Sequence, residues 1–307
     1  MHTLPLVTIA IPAYKADFLK ETILSALNQT YSNIELVIVD DCSPEKIDTI
    51  VKEFSDSRIR YYKNEKNIGA KDPSKNWNKC LEYAKGDFFA LLCDDDTYEP
   101  TFVEEMLNLQ REHSDIKVFR ARARTIDEKN QVLSWYPSAP TFETCIDYMY
   151  HKLLGFRRQT ISEFFYDTNY IKKLHGFTNV PRAWTADSLS IYKFAWERGI
   201  VSSQSFLVNF RNSQKNISSI HTDAMEKRNA LMFFKKEIEG YIKKMPYSSY
   251  GKIMNEALYY GMYLEVINLC SAASFGNIFR IIIKGGFPRK WLLFIVANKI
   301  ASFGNRK

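Results

Sequence analysis

Phe88-Phe89-Ala90-Leu91-Leu92-Cys93-Asp94-Asp95-Asp96 is the stretch on which the fold turns. Its apolar run, bounded by Gly86-Asp87, is too short for a typical helix and reads as a buried strand. The aspartates then stand where a central strand ends. Three carboxylates in a row repel one another, so packing alone gives no reason for them. A hard divalent cation does, because it takes oxygen ligands and can carry a diphosphate. For an isolated triplet a solvated acidic loop is the plainer reading, and the rest of the chain decides between the two.

Working outward, strand and helix patterns alternate. Val7-Thr8-Ile9-Ala10-Ile11 reads as a strand stopped by Pro12. Leu19, Ile23, Ala26 and Leu27 recur at helical spacing. Glu35-Leu36-Val37-Ile38-Val39 is a second strand ending in Asp40-Asp41. Ile47, Ile50, Val51 and Phe54 suit a helix, Ile59–Tyr62 a short strand, and Trp77, Cys80, Leu81 and Ala84 the helix before the central strand. A further helix is predicted over 101–113, with Pro100 near its start. Such alternation builds an α/β fold with a mostly parallel sheet flanked by helices. Ligands bind such sheets outside the carboxyl ends of the strands. Asp40-Asp41 and Asp94-Asp95-Asp96 are therefore expected in one crevice.

The pattern loosens over about 115–222. Val118–Ala123 and Val132–Trp135 read as strands, joined across Asp127-Glu128-Lys129-Asn130, and helices are predicted over 143–154 and 186–198. From about 224 to 270 the chain reads as helical. The expected divisions are 1–115, 116–222 and a helical C-terminal extension over 223–307.

The 307 residues are 46% hydrophobic and 14% aromatic, enough for a sizeable core. Cys42, Cys80, Cys93, Cys145 and Cys270 are scattered and form no Cys-x-x-Cys pair, which argues against a zinc site or disulfide framework. The start Met-His-Thr-Leu-Pro runs straight into a strand, so no signal peptide is expected. No apolar run reaches the length of a membrane span. The net charge is +7, and the segment from Arg280 onward holds seven basic residues and no acidic one. A basic tail of this kind, not a spread basic face, argues against nucleic acid as a partner. Gly-x-Gly-x-x-Gly, Walker-type and Gly-x-Ser-x-Gly motifs are all missing.

Several segments, in order, resemble the family 2 inverting glycosyltransferases of the glycosyltransferase-A fold. They are Thr8–Tyr14, Ser25–Tyr31, Glu35–Ser43, Asn67-Ile68-Gly69 with Ser74-Lys75-Asn76, and Ala84–Asp96. Together they cover about 1–115, and Thr185-Ala186-Asp187 and Arg211-Asn212-Ser213 look like later family elements. The resemblance implies a nucleotide pocket of Pro12, Tyr14, Asp40, Asp41, Lys75 and Asp94, with Tyr14 against the base and Asp41 accepting the uracil N–H. It implies Mn²⁺ or Mg²⁺ as cofactor, with Asp95 and Asp96 as ligands; apart from the resemblance, His221, after Asn216-Ile217-Ser218-Ser219, is a candidate metal or phosphate ligand. Asp187 would be the general base. Lys15 stands where the family has Asn, and Cys93 takes the first position of an Asp-x-Asp-Asp motif, so which two of the three aspartates serve ribose and metal is open.

The chemistry suits those residue types. A cation stabilises the charge growing on a departing diphosphate, and a positioned carboxylate activates an acceptor hydroxyl. Asp187 could equally cap the helix that follows it. Trp135, Trp184 and Trp196 could stack on acceptor sugars, and Arg157-Arg158 could meet an acceptor phosphate.

The expected function is transfer of a sugar from a nucleotide sugar, a UDP-sugar, to a glycan or lipid-linked acceptor in bacterial polysaccharide synthesis, of O-antigen or capsule type. The alternatives are an inactive nucleotide-sugar-binding protein and a sugar nucleotidyltransferase. The basic, aromatic tail suits an anionic membrane surface, which implies a cytoplasmic protein peripheral on the inner face of the membrane.

Overall fold

The computed structural model describes residues 4–213, 224–271, 275–284 and 287–304. They fall into two compact units. The first runs to Met149 and includes Arg157–Asn179 and Ala186–Ser213; the second comprises Tyr150–Phe156, Val180–Thr185 and the described residues beyond Ser213.

In chain order the first unit begins with β1 (Val7–Ala13), α1 (Leu19–Leu27), β2 (Ile34–Asp40), α2 (Ile47–Val51), β3 (Ile59–Lys63), α3 (Ser74–Tyr83) and β4 (Phe88–Leu91). It continues with β5 (Thr97–Tyr98), α4 (Phe102–Glu112), β6 (Val118–Ile126), β7 (Val132–Trp135), β8 (Phe142–Glu143) and the start of α5 (Cys145–Leu153). Then come β9 (Phe164–Asp167), α6 (Thr168–Lys173), α7 (Ala186–Ala195) and β10 (Ile200–Arg211). The ten strands among the described residues form one sheet in the order β3-β2-β1-β4-β9-β6-β10-β5, with β7 beside β6 and β8 beside β10. The strands β3, β2, β1 and β4 are parallel. The strand β9 then runs antiparallel to both β4 and β6, and β6 and β10 are parallel again.

Within the parallel block β1, β2 and β4 are buried on both faces, which is why their sequences are runs and not alternations. All seven residues of β2 and all four of β4 are buried. Ile9, Ile11, Leu36, Ile38, Ala90 and Leu92 share one core with Leu19 and Ile23 of α1 and Phe102 and Met106 of α4. Truncating Leu36 to alanine there should cost about 2–5 kcal/mol. Gly86 is fixed by close approach: a Cβ on it would lie 2.6 Å from the Thr8 nitrogen and 2.8 Å from the Leu6 oxygen.

Two expectations need correction. Pro12 does not stop the first strand, which continues to Ala13. The strand β4 pairs with β1 only as far as Ala10–Leu91, while β2 pairs on to Ala13–Asp40. Pro12 thus lies past the end of one ladder, where a missing N–H is tolerated. The region after 115 is also more ordered than its pattern suggests, because β9 and β10 extend the same sheet. The predicted hairpin of β6 and β7 is present, and Asn130 in its turn has φ 64°.

In the second unit α8 (Ala224–Ile242) packs on α9 (Ser248–Ser271), and α10 (Phe275–Lys284) and α11 (Arg289–Gly304) follow. Trp291 is interior here. Its indole N–H donates to the Tyr259 hydroxyl at 2.8 Å, and its ring stacks on Phe287. Phe279, Leu293 and Phe294 are exposed. No helix among the described residues is long and apolar enough to cross a membrane.

Candidate active site at the carboxyl ends of the parallel strands

The ends of β1, β2 and β4 converge, and a short hydrogen-bonded relay joins their acidic residues. The Asp40 Oδ1 accepts the Ser43 N–H at 2.8 Å. The Ser43 hydroxyl donates to the Tyr14 carbonyl at 2.5 Å, and the Tyr14 N–H donates to Asp94 Oδ2 at 2.8 Å. The Lys15 N–H donates to the same oxygen at 2.7 Å. Asp40 and Asp94 thus lie in one crevice, as adjacency of the strands requires.

Asp40 is fully buried, and its Oδ2 accepts the Tyr61 hydroxyl at 2.7 Å with Lys63 at 3.3 Å. The Asp41 Oδ1 accepts the Asn64 amide and the Ile68 N–H at 2.8 and 2.9 Å, and Oδ2 accepts the Gly69 N–H at 2.7 Å. A carboxylate offers about four acceptor sites. Among the described residues three are used, which leaves room on Oδ2 for one more donor. Gly69 must come this close without a side chain, since a Cβ would sit 2.6 Å from Asp41 Oδ2. Gly69→Ala is expected to displace Asp41 and weaken nucleotide binding about ten-fold or more while lowering stability only modestly. Calorimetry with UDP beside a thermal melt checks this, and unchanged UDP affinity would contradict it.

The three consecutive aspartates are reconciled with one another by three different means. Asp94 takes the two backbone N–H groups of the β1 turn. Asp95 is in direct contact with the Lys15 ammonium, which also lies 3.3 Å from Asp94 Oδ1. Asp96, fully buried, takes the Ser162 hydroxyl on Oδ2 at 2.6 Å and the Arg211 N–H on Oδ1 at 2.9 Å. Burial pushes its carboxyl up to about 8, with Asp95 adding and those two hydrogen bonds opposing. Burial likewise raises Asp94, against the pull of Lys15. Repulsion is therefore relieved inside the fold, and packing does give the triplet a place.

Arg211 anchors this corner. It is completely buried, its Nε donates to the Asp95 carbonyl at 2.9 Å, and its guanidinium lies over the Phe18 ring and pairs with Glu21 at 2.8 Å. Ser162 and Arg211 carry no sequence signal that ties them to Asp96, because the contact spans the parallel and antiparallel parts of the sheet. Tyr14 is exposed at the rim, Pro12 is half-buried, and Lys75 is exposed in the first turn of α3. His221 lies outside the described residues.

Asp187 sits in the first turn of α7, half-buried, and its Oδ2 accepts the Gln159 amide at 2.9 Å. The Gln159 carbonyl in turn accepts the Tyr148 hydroxyl at 2.7 Å. The chain just before α7 is strained: Arg182, Ala183 and Thr185 have φ of 60°, 49° and 70°. For a β-branched residue such as Thr185 this is a genuine outlier, of the kind that gathers at functional sites. Of the candidate stacking residues, Trp135 is exposed, while Trp184 lies under the Lys227 ammonium, 4.4 Å from the ring centre. Arg157 is committed to Glu143 at 2.8 Å, and the Arg158 guanidinium lies over Tyr136.

The donor set suits a hard cation. Asp94 and Asp95 already hold a positive group between them in Lys15, and both present carboxylate oxygens. Among the described residues no group of three or more His, Cys, Asp or Glu side chains is arranged to hold a metal ion.

A family model described as "Glycosyl transferase family 2" matches residues 8–171. An uncharacterized glycosyltransferase of Rickettsia typhi is 35% identical over 132 residues, 42% of this chain and 40% of its own length. A putative teichuronic acid biosynthesis glycosyltransferase, TuaG of Bacillus subtilis, is 35% identical over 36% of this chain and 44% of its own. The UDP-Glc:alpha-D-GlcNAc-diphosphoundecaprenol beta-1,3-glucosyltransferase WfaP of Escherichia coli is 35% identical over 44% of this chain and 52% of its own. The chain thus spans about half the length of the curated relatives it matches. The crystal structure of S. aureus TarS 1–349 in complex with UDP-GlcNAc superposes with a TM-score of 0.67 at 16% identity, covering 97% of this chain and 89% of that one. At that identity the likeness concerns the fold, including its C-terminal helices.

Proposed function

This chain belongs to glycosyl transferase family 2, and we propose that it moves a sugar from a UDP-sugar to a hydroxyl of a glycan or lipid-linked saccharide in bacterial surface-polysaccharide synthesis. One observation supports the reading: the Asp40–Ser43–Tyr14–Asp94 relay joins polar groups at the carboxyl ends of adjacent parallel strands, where such sheets bind their ligands. The UDP-sugars named for WfaP and TarS support uracil as the base.

Residues 1–115 form the donor half and 116–222 the acceptor half in this reading. Tyr14, exposed at the rim, stacks on the base, and the remaining acceptor site of Asp41 Oδ2 takes the uracil N3–H. Asp94, fixed by two N–H groups, meets the ribose, and Lys75 reaches the nucleotide from the start of α3. Asp95 would hold Mn²⁺ or Mg²⁺. Asp96 is the weaker ligand candidate, since both its oxygens are engaged by Ser162 and Arg211. The bound cation supplies counter-charge to the leaving diphosphate. Asp187, oriented by Gln159, takes the proton of the acceptor hydroxyl, and attack opposite the leaving group inverts the anomeric centre.

The C-terminal helical unit is proposed to lie on the anionic cytoplasmic face of the membrane, where a lipid-linked acceptor is found. From residue 224 on there are fourteen lysines and arginines against five glutamates. Exposed Phe279, Leu293 and Phe294 accompany exposed Arg280, Arg289 and Lys290.

A thermal-shift screen tests the donor. Binding only to the folded state raises stability by RT ln(1 + [L]/Kd), about 2.7 kcal/mol at a hundred-fold excess over Kd. UDP and one UDP-sugar should raise the melting temperature in the presence of Mn²⁺, and purine nucleotides should not. Asp41→Ala should lower UDP affinity by about 1–3 kcal/mol in calorimetry. A shift by GDP or ADP alone, or no shift by any nucleotide, would overturn the assignment.

A further inference from the structure

Lys15 is the residue of the site that the proposed roles leave unused. It follows β1 directly, and its backbone N–H is one of the two that fix Asp94. Its ammonium lies between the two acidic side chains, touching Asp95 and 3.3 Å from Asp94 Oδ1. The lysine side chain is 24% exposed and the two carboxylates only 6% and 9%. A fixed monovalent cation thus fills the space between two carboxylates that would otherwise face each other as an uncompensated double negative charge.

We propose that Lys15 is a built-in counter-ion that shuts the seat at Asp95, beside Asp94, to free divalent cations and moves onto the diphosphate when the nucleotide arrives. This rests on the reading of the seat as the place where a cation and a diphosphate meet. A divalent ion arriving alone must displace an ammonium from two carboxylates in a mostly buried site. A diphosphate brings that ammonium a partner, because its oxygens can take the three N–H donors of Lys15. Cation and nucleotide therefore bind with positive coupling, and the coupling is reciprocal: each tightens the other by the same factor. Lys15 is a positioning and specificity residue in this scheme, and it keeps the empty site from filling with whichever divalent ion is abundant.

Mn²⁺ binding followed by electron paramagnetic resonance, with and without UDP, tests this on the full chain. Lys15→Met keeps the volume of the side chain and removes the charge. It should bind Mn²⁺ alone at least about ten-fold more tightly than wild type, because one repelling positive charge has gone. The factor by which UDP tightens Mn²⁺ should shrink in the same variant, and Lys15→Arg should restore it. If Lys15→Met fails to fold, Lys15→Gln carries the same comparison. Equal Mn²⁺ affinity in wild type and the neutral variant, with unchanged coupling to UDP, would overturn the inference while leaving the nucleotide-sugar reading intact. If no form of the protein takes UDP with or without Mn²⁺, the reading itself fails, and this inference fails with it.

Discussion

Asp95→Asn is expected to fold, to melt within a few degrees of wild type, and to lose sugar transfer by about 10²-fold or more. The backbone of Asp95 is anchored through its carbonyl to Arg211, and an amide keeps the size and one oxygen of the side chain. What it loses is charge, and a neutral amide is a poorer ligand for a hard cation and a poorer partner for Lys15. The loss should therefore appear in turnover and in Mn²⁺ affinity before it appears in stability. Asp96→Asn supplies the contrast. One oxygen of Asp96 takes the Ser162 hydroxyl and the other the Arg211 N–H, so an amide NH₂ is met only if the Ser162 hydroxyl, which also accepts the Cys93 N–H at 3.1 Å, turns to accept it and its own proton loses its buried acceptor. A buried donor without a partner costs about 1–3 kcal/mol, and that variant should melt earlier. If Asp95→Asn turned over like wild type, or wild type were indifferent to EDTA, the cation-dependent account would be wrong. If Asp96→Asn were as stable as wild type, the division of labour between the neighbouring aspartates would be wrong.

That division was not legible in the sequence, although the crevice was. The run Phe88–Leu92 and the Asp40-Asp41 pair announce strand ends, because a sheet buried on both faces writes its strands as unbroken apolar runs. Adjacency of β1, β2 and β4 then brings the acids together without any further information. The antiparallel half of the sheet leaves no such mark. Strand β10 mixes buried and exposed positions without a clean period, and its burial is set by β6 and β5, far away in the chain. Its last residue, Arg211, and the isolated Ser162 are what settle Asp96. Two polar side chains more than sixty residues from their carboxylate give no local pattern. Pro12 shows the reverse failure. Local chemistry reads it as a stop, but the register shows that one ladder has already ended where it stands. Gly69 lies between these cases. Its place in Asn67-Ile68-Gly69 was recognisable, but the reason for glycine, a Cβ that would strike Asp41 Oδ2, exists only once the loop has folded back onto β2.

Asp187→Asn is expected to lower turnover by about 10²- to 10⁴-fold, the usual worth of a positioned general base, with donor affinity left within about two-fold of wild type. The argument starts from Gln159, whose amide donates to Asp187 Oδ2 while its carbonyl accepts the Tyr148 hydroxyl. An asparagine can keep that hydrogen bond through its own carbonyl oxygen, so the local geometry survives the change. What disappears is the capacity to take a proton, and that capacity matters only as the acceptor attacks. A loss confined to the transition state lowers kcat and kcat/KM together and leaves ground-state binding alone. The competing role can be separated by size. A carboxylate in the first turn of α7 also favours the helix N-terminus, by about 0.3–1 kcal/mol. A small fall in melting temperature is therefore expected whichever role holds, and it cannot account for a hundred-fold loss of rate. Gln159→Leu sharpens the comparison, because it frees Asp187 from its orienting partner while leaving the carboxylate in place. It should lower turnover by less than Asp187→Asn and again spare UDP binding. Parallel losses of stability and donor affinity, with turnover of the bound complex unchanged, would return Asp187 to a purely structural part in α7.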